Sequence, residues 1–121
     1  MTQKRRDNHS TEFGLWLRDQ PEIDSALGYI ATNIDYIWRN YKTDQWMIIE
    51  EKRYNQKPRF YQQKIFEILN WCSKHHKGYK GFHIIVFSNT SPDDGEIYLD
   101  GELIDRQNLI EFLQFKVRHN G

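Results

Sequence analysis

Apolar residues recur in three different rhythms along the chain. Phe13, Trp16 and Leu17 stand at i, i+3 and i+4, the spacing of one helix face. Ser10 or Thr11 can cap that helix, and the pattern carries it to about Gln20 before Pro21 stops it. Gly28 to Tyr41 is rich in Tyr, Ile, Thr and Trp, which is strand composition. Ile34, Tyr36 and Trp38 share one face of it; Asn33, Asp35 and Ile37 share the other. Lys42-Thr43-Asp44 turns the chain, and Gln45 to Arg53 reads as a second strand. The short connection makes the pair antiparallel. Pro58 suits a helix N1 position, and a helix to about His76 would carry a stripe of Tyr61, Ile65, Ile68, Leu69 and Cys72. Phe82 to Phe87 is a continuous apolar run bounded by Gly78 and Gly81 before it and by a loop from Asn89 to Gly95 after it. Such a run suits a strand buried on both faces. Asp100-Gly101 between Glu96–Leu99 and Glu102–Ile104 predicts a type I′ hairpin. A last helix is expected from about Asp105 to Arg118. The predicted order is α-β-β-α-β-ββ-α.

Composition supports one folded domain over residues 10–121, preceded by a polar arm at 1–9. Only 38% of the 121 residues are hydrophobic, but 15% are aromatic, and large rings build a core from few residues. No apolar run approaches the ~20 residues of a membrane helix, so no membrane partner is expected. Met1 to Asp7 leads into no apolar stretch, so no secretory leader is expected either. The single cysteine, Cys72, forms no internal disulfide and implies a reducing, cytoplasmic setting.

Charge changes the picture more. The formal net charge is zero, from 17 Lys+Arg and 17 Asp+Glu. Yet Lys52 to His83 holds eight cations against the single Glu67, a net +7. Ser91 to Glu111 holds seven anions against Arg106, a net −6. The basic middle also carries Tyr54, Phe60, Tyr61 and Tyr79, a mixture suited to a phosphate backbone. The blander reading is a solvated helix face.

The candidate chemistry lies on the first hairpin. Glu50 and Lys52 are two apart on one strand and share a face. A turn centred near Thr43 pairs residue i with roughly 86 − i, which sets Asp35 opposite Glu51 and diagonal to Glu50 and Lys52; a bulge shifts this by one. Two carboxylates this close repel each other. A Mg²⁺ ion, with Mn²⁺ as substitute, resolves the conflict, because it takes one or two carboxylates and otherwise water. A nearby lysine then serves to orient a nucleophile or stabilise a charged phosphate.

Asp35, fourteen residues, then Glu50-Glu51-Lys52 resembles the signature of the PD-(D/E)XK nuclease superfamily. The helix, β-meander, helix and strand from Thr11 to Phe87 resemble its core. The resemblance implies a restriction-endonuclease-like α/β (α+β) fold: an α-β-β-α-β mixed sheet flanked by helices, here with a C-terminal β-hairpin and helix. It implies Asp35 and Glu50 as metal ligands, joined by the backbone carbonyl of Glu51, with Lys52 handling the nucleophile. Glu12 matches a glutamate that several branches place on the first helix. Gln62 and Gln63 fall where some branches carry a glutamine. Glu51 departs from the usual apolar middle residue and needs a partner such as Arg53 or Arg39.

The implied function is a small Mg²⁺-dependent DNA endonuclease, structure-specific or weakly sequence-specific, acting on duplex or branched DNA and working as a homodimer where both strands are cut. Lys4, Arg5, Arg6, Arg53, Lys57, Arg59 and Lys64 are the candidate phosphate-holding cations. Ser25 is a candidate phosphate contact, with a plain turn role as the simpler reading. The alternative is a module on the same fold that holds nucleic acid or a protein without cutting. A Zn²⁺ site at Cys72, His75, His76 and His83 lacks a second cysteine pair.

Overall fold

The computed structural model describes residues 11–116. Contacts divide the chain after Asn33, and each unit is described by itself. In the first, α1 spans Glu12–Asp19, and the Thr11 side chain accepts the Gly14 N–H at 3.0 Å. Phe13 stacks on Trp16 at 6.0 Å between ring centroids. Pro21 ends α1 by opening a 3₁₀ turn, Pro21–Ile23, and a second follows at Ser25–Leu27.

The second unit is a mixed α/β assembly. Five strands line up in sequence order: β1 Tyr36–Asn40, β2 Gln45–Lys52, β3 Tyr79–Phe87, β4 Ile97–Leu99 and β5 Glu102–Ile104. Strands β2 and β3 are parallel, joined through helix α2, Phe60–Ser73; every other neighbouring pair is antiparallel. Helix α3 spans Arg106–Leu113, and the Asp105 carboxylate accepts the Asn108 N–H at 2.8 Å as its cap. Asp100 and Gly101 both take positive φ, 51° and 86°, which the I′ hairpin requires.

The first strand is shorter than its composition predicts, and runs only from Tyr36. Gly28 turns left-handed after the second 3₁₀ turn. At the other end the Asp35 carboxylate takes the Glu51 N–H at 2.9 Å, and that side-chain acceptor stands where a ladder carbonyl would continue the strand. The β1–β2 turn also differs by one residue. Asn40 pairs with Gln45 across a four-residue loop closed by left-handed Asp44. Pairs therefore sum to 85, and Asp35 extrapolates level with Glu50 instead of Glu51.

Alternation along β2 assigns the two faces. Met47, Ile49, Ile85, Phe87, Ile97, Leu99 and Ile104 form one buried cluster with Leu109 and Phe112 of α3. On this side the Trp38 indole N–H donates to the Leu113 carbonyl at 2.7 Å, satisfying an end carbonyl of α3. Ile48, Glu50 and Lys52 point the other way, level with Phe82, Ile84 and Val86 of β3. Helix α2 covers that side, and Phe66 stacks on Phe82 at 4.7 Å. Its packed residues are thus Phe66 with half-buried Gln62, Ile65 and Leu69, while Tyr61, Ile68 and Cys72 of the expected stripe are exposed. Parallel pairing slips between Trp46 and Ile48, so β3 carries one extra residue there, beside Gly81 at φ 105°. Past it, His83 falls on the α3 side, between the Asp100 carboxylate at 2.7 Å and the Phe112 ring.

Candidate metal and nucleic-acid site

Glu50 is the one charged residue in the described interior, at 1% exposure. It lies on β2 immediately after Met47-Ile48-Ile49, so the apolar strand carries it into the sheet's middle. Its Oε2 is buried with no hydrogen-bond partner among the described residues. Burial first, then a hydrogen bond with the Asp35 carboxyl and that group's charge, push the Glu50 carboxyl up to about 8; Lys52 and the Glu51 N–H pull it back in part. Glu50 therefore keeps its proton at neutral pH. Asp35 is exposed at the mouth and anchored by the Glu51 N–H.

Lys52 is half-buried, and its Nζ donates to Gln62 Oε1 at 3.0 Å. Helix α2 thus presents Gln62 to the site, while Gln63 is exposed. Glu51 points to the opposite face of the sheet. Its carboxylate accepts Arg53 Nε at 3.0 Å and the Tyr36 hydroxyl at 3.5 Å. The charge that the expected motif carries at its middle position is therefore neutralised by Arg53; Arg39 is occupied by Asp44 at 2.7 Å.

The cluster tests well for a hard cation. An orphaned buried carboxylate oxygen beside a second carboxylate is the donor set that Mg²⁺ or Mn²⁺ takes, with water completing its shell. Glu50 and Asp35 would supply two ligands; among the described residues no group of three His, Cys, Asp or Glu side chains gathers as a metal site.

The remaining expected residues are distributed as follows. Lys57, Arg59 and Lys64 are exposed on the loop before α2 and on its first turns. Glu12 stands in the first turn of α1 and Ser25 opens the second 3₁₀ turn, both exposed in the first unit. Lys4, Arg5 and Arg6 lie outside the described residues, as does Ser10. The zinc alternative dissolves: Cys72 is exposed, the His76 ring accepts the Trp46 indole N–H at 2.9 Å, and His83 faces Asp100. Two features escaped the sequence pattern. One is the orphaned state of Glu50. The other is the pair of consecutive left-handed residues, Tyr54 and Asn55, at φ 55° and 57°. Among the described residues no helix is long and apolar enough to cross a membrane. The chain matches no protein-family model, no curated protein and no solved structure.

Proposed function

We propose that the Asp35–Glu50–Lys52 cluster is the hydrolytic centre of a divalent-metal-dependent DNA endonuclease on a PD-(D/E)XK, restriction-endonuclease-like core. The observation that carries this reading is the buried, partnerless Glu50 oxygen beside Asp35, with Lys52 held on the same face by Gln62. Leaving a buried acceptor unsatisfied costs roughly 1–3 kcal/mol. The hydrogen bond with Asp35 leaves Oε2 unsatisfied, and a bound cation would satisfy it.

In this reading Glu50, Asp35 and the Glu51 carbonyl would hold Mg²⁺ or Mn²⁺, which would supply Lewis-acid stabilisation of charge on the phosphate. Lys52 contributes a fixed positive charge to the same phosphate. Gln62 positions that ammonium, since its carbonyl oxygen accepts one of the three lysine protons. Glu50 would give up its proton on binding the cation. The exposed cations Lys57, Arg59 and Lys64 retain the backbone of the bound strand.

A second reading follows from the absence of a third acidic or histidine ligand among the described residues: the same face binds nucleic acid and does not cut it. Incubation with supercoiled, linear, single-stranded and branched DNA, in Mg²⁺, Mn²⁺ or EDTA, separates the two. Cleavage is expected to need metal and to fall by at least about a hundredfold in Asp35→Ala and in Lys52→Ala. Cutting that survives in both variants refutes the site. Salt-dependent binding with no cutting under any condition selects the second reading.

A further inference from the structure

Three exposed rings lie next in sequence to residues of the candidate centre. Tyr54 lies two residues after Lys52, and Phe60 and Tyr61 immediately precede Gln62; they are 63%, 64% and 65% exposed. A domain with so few apolar residues gains nothing for its own core by leaving large rings in water. The rings are also held in place. Tyr54 and Asn55 both adopt left-handed backbone, which is unfavourable for residues other than glycine. Two hydrogen bonds keep them there: the Tyr54 N–H donates to the Asn89 carbonyl and the Asn55 N–H to the Phe87 carbonyl, each at 3.1 Å. The end of β3 therefore latches the segment that leaves Lys52. Phe60 and Tyr61 pack edge to face at 5.4 Å, and Lys64 Nζ lies 5.8 Å from the Phe60 ring centroid.

Charge identifies what these rings meet. From Lys52 to Phe66 the chain carries five cations and no anion. A protein-binding hot spot is depleted of charge at its centre, whereas here cations alternate with rings. That alternation suits a polyanion that also offers flat faces. A duplex buries its base faces within the stack; an unpaired strand presents them.

We propose that Tyr54, Phe60 and Tyr61 form a stacking platform for unpaired bases, so that the substrate reaching the centre is a single-stranded segment of DNA whose phosphates run along Lys57, Arg59 and Lys64. The inference deepens the nuclease reading and rests on it for the fate of the bound strand. It narrows the substrate from DNA in general to unpaired strands, flaps and single-stranded ends.

Binding is tested apart from cutting. Fluorescence anisotropy in EDTA compares a fluorescein-labelled single strand with the same strand annealed to its complement. The full chain is expected to bind the single strand more tightly. Tyr54→Ala, Phe60→Ala and Tyr61→Ala are each expected to weaken it by at least about fivefold and leave duplex binding unchanged. Tyr54→Phe and Tyr61→Phe keep the ring and are expected to keep affinity. All three substituted positions are exposed, and circular dichroism checks that each of the five variants is folded. Equal affinity for both probes, or affinity indifferent to the rings, overturns the proposal. So does concentration-dependent self-association that the alanine variants abolish, because a second copy then occupies the platform. Ring-dependent single-strand binding without metal-dependent cutting sinks the nuclease reading and leaves the platform standing; cutting with no ring dependence does the reverse.

Discussion

On β2, Met47 and Ile49 face α3 while Ile48, Glu50 and Lys52 face α2. The two sides of this strand differ in what they are built to hold. Towards α3, strands β2 to β5 and the helix close over Leu99, Ile97, Phe87 and Phe112 in a dry cluster. Towards α2, the apolar contact is Ile48, Phe66 and Phe82, after which the face turns polar at Glu50, Lys52 and Gln62. Beyond α2, Leu103 of β5 remains exposed. The main apolar core is thus concentrated on one face and the candidate site on the other, within a single eight-residue strand. Side-chain alternation makes this separation possible, because neighbours in sequence share no environment.

The separation is open to attack at several strengths. Phe112→Ala removes a ring from the α3-side cluster and is expected to lower stability by about 3–5 kcal/mol. Urea unfolding measures it, and the metal affinity of the folded fraction is expected to stay unchanged. A loss of metal binding in folded Phe112→Ala protein would merge the two faces into one unit.

Glu50 gives the next largest effect, and one of opposite character. The metal-free folded chain keeps the Glu50 proton up to about pH 8, whereas the unfolded chain releases it near the ordinary glutamate value of 4.5. The folded state binds more protons in that window. Its stability contribution is therefore full below pH 4.5 and is lost as pH rises through 8, with on the order of 3 kcal/mol of the loss falling between pH 6 and pH 8. Glu50→Gln is expected to flatten this loss between pH 6 and pH 9. Mg²⁺ is expected to offset it in the unsubstituted protein, more at pH 9 than at pH 6. A pH profile unchanged by Glu50→Gln would remove Glu50 from the titration.

Gln62→Ala is expected to slow single-turnover cleavage about tenfold by releasing Lys52, and Gln63→Ala to leave it unchanged. Equal losses from both would show that α2 presents a different side to the sheet. The smallest effect concerns how the two helices are started. Asp105 caps α3, whereas Arg59 gives α2 no side-chain cap. Asp105→Ala is expected to cost about 1 kcal/mol, read by thermal unfolding, and Arg59→Ala to cost none of that kind.

Much of this arrangement was readable from the chain. The strand order, the I′ turn at Asp100-Gly101 and the shared face of Glu50 and Lys52 follow from local rules of alternation and turn chemistry. The failures are equally local. A turn closed by Asp44 in the left-handed region moves the β1–β2 register by one, and nothing in Lys42-Thr43-Asp44 declares which residue takes that conformation. Helix α2 is apolar on two sides. Periodicity finds the stripe of Tyr61, Ile65, Ile68, Leu69 and Cys72; the sheet packs on Phe66 with Ile65 and Leu69 and leaves Tyr61, Ile68 and Cys72 exposed, because only the tertiary partner decides between two apolar faces. Gln62 and Gln63 were inseparable for the same reason. The solitary oxygen of Glu50 belongs to no pattern at all; it exists only once strands and helix enclose it.

The extra residue of β3 beside Gly81 governs how the strand's message is read. A β-strand is deciphered two letters at a time, one letter to each side of the sheet. The insertion shifts the reading frame, so that Ile84 and Val86 line the wall of the centre and His83, Ile85 and Phe87 go to the interior. Deleting Gly81 would remove the insertion, so that Tyr79–Lys80 and Phe82–Phe87 could no longer both keep their present register against β2. The centre's hydrophobic wall and the interior's filling are two translations of the same six residues, told apart by one glycine.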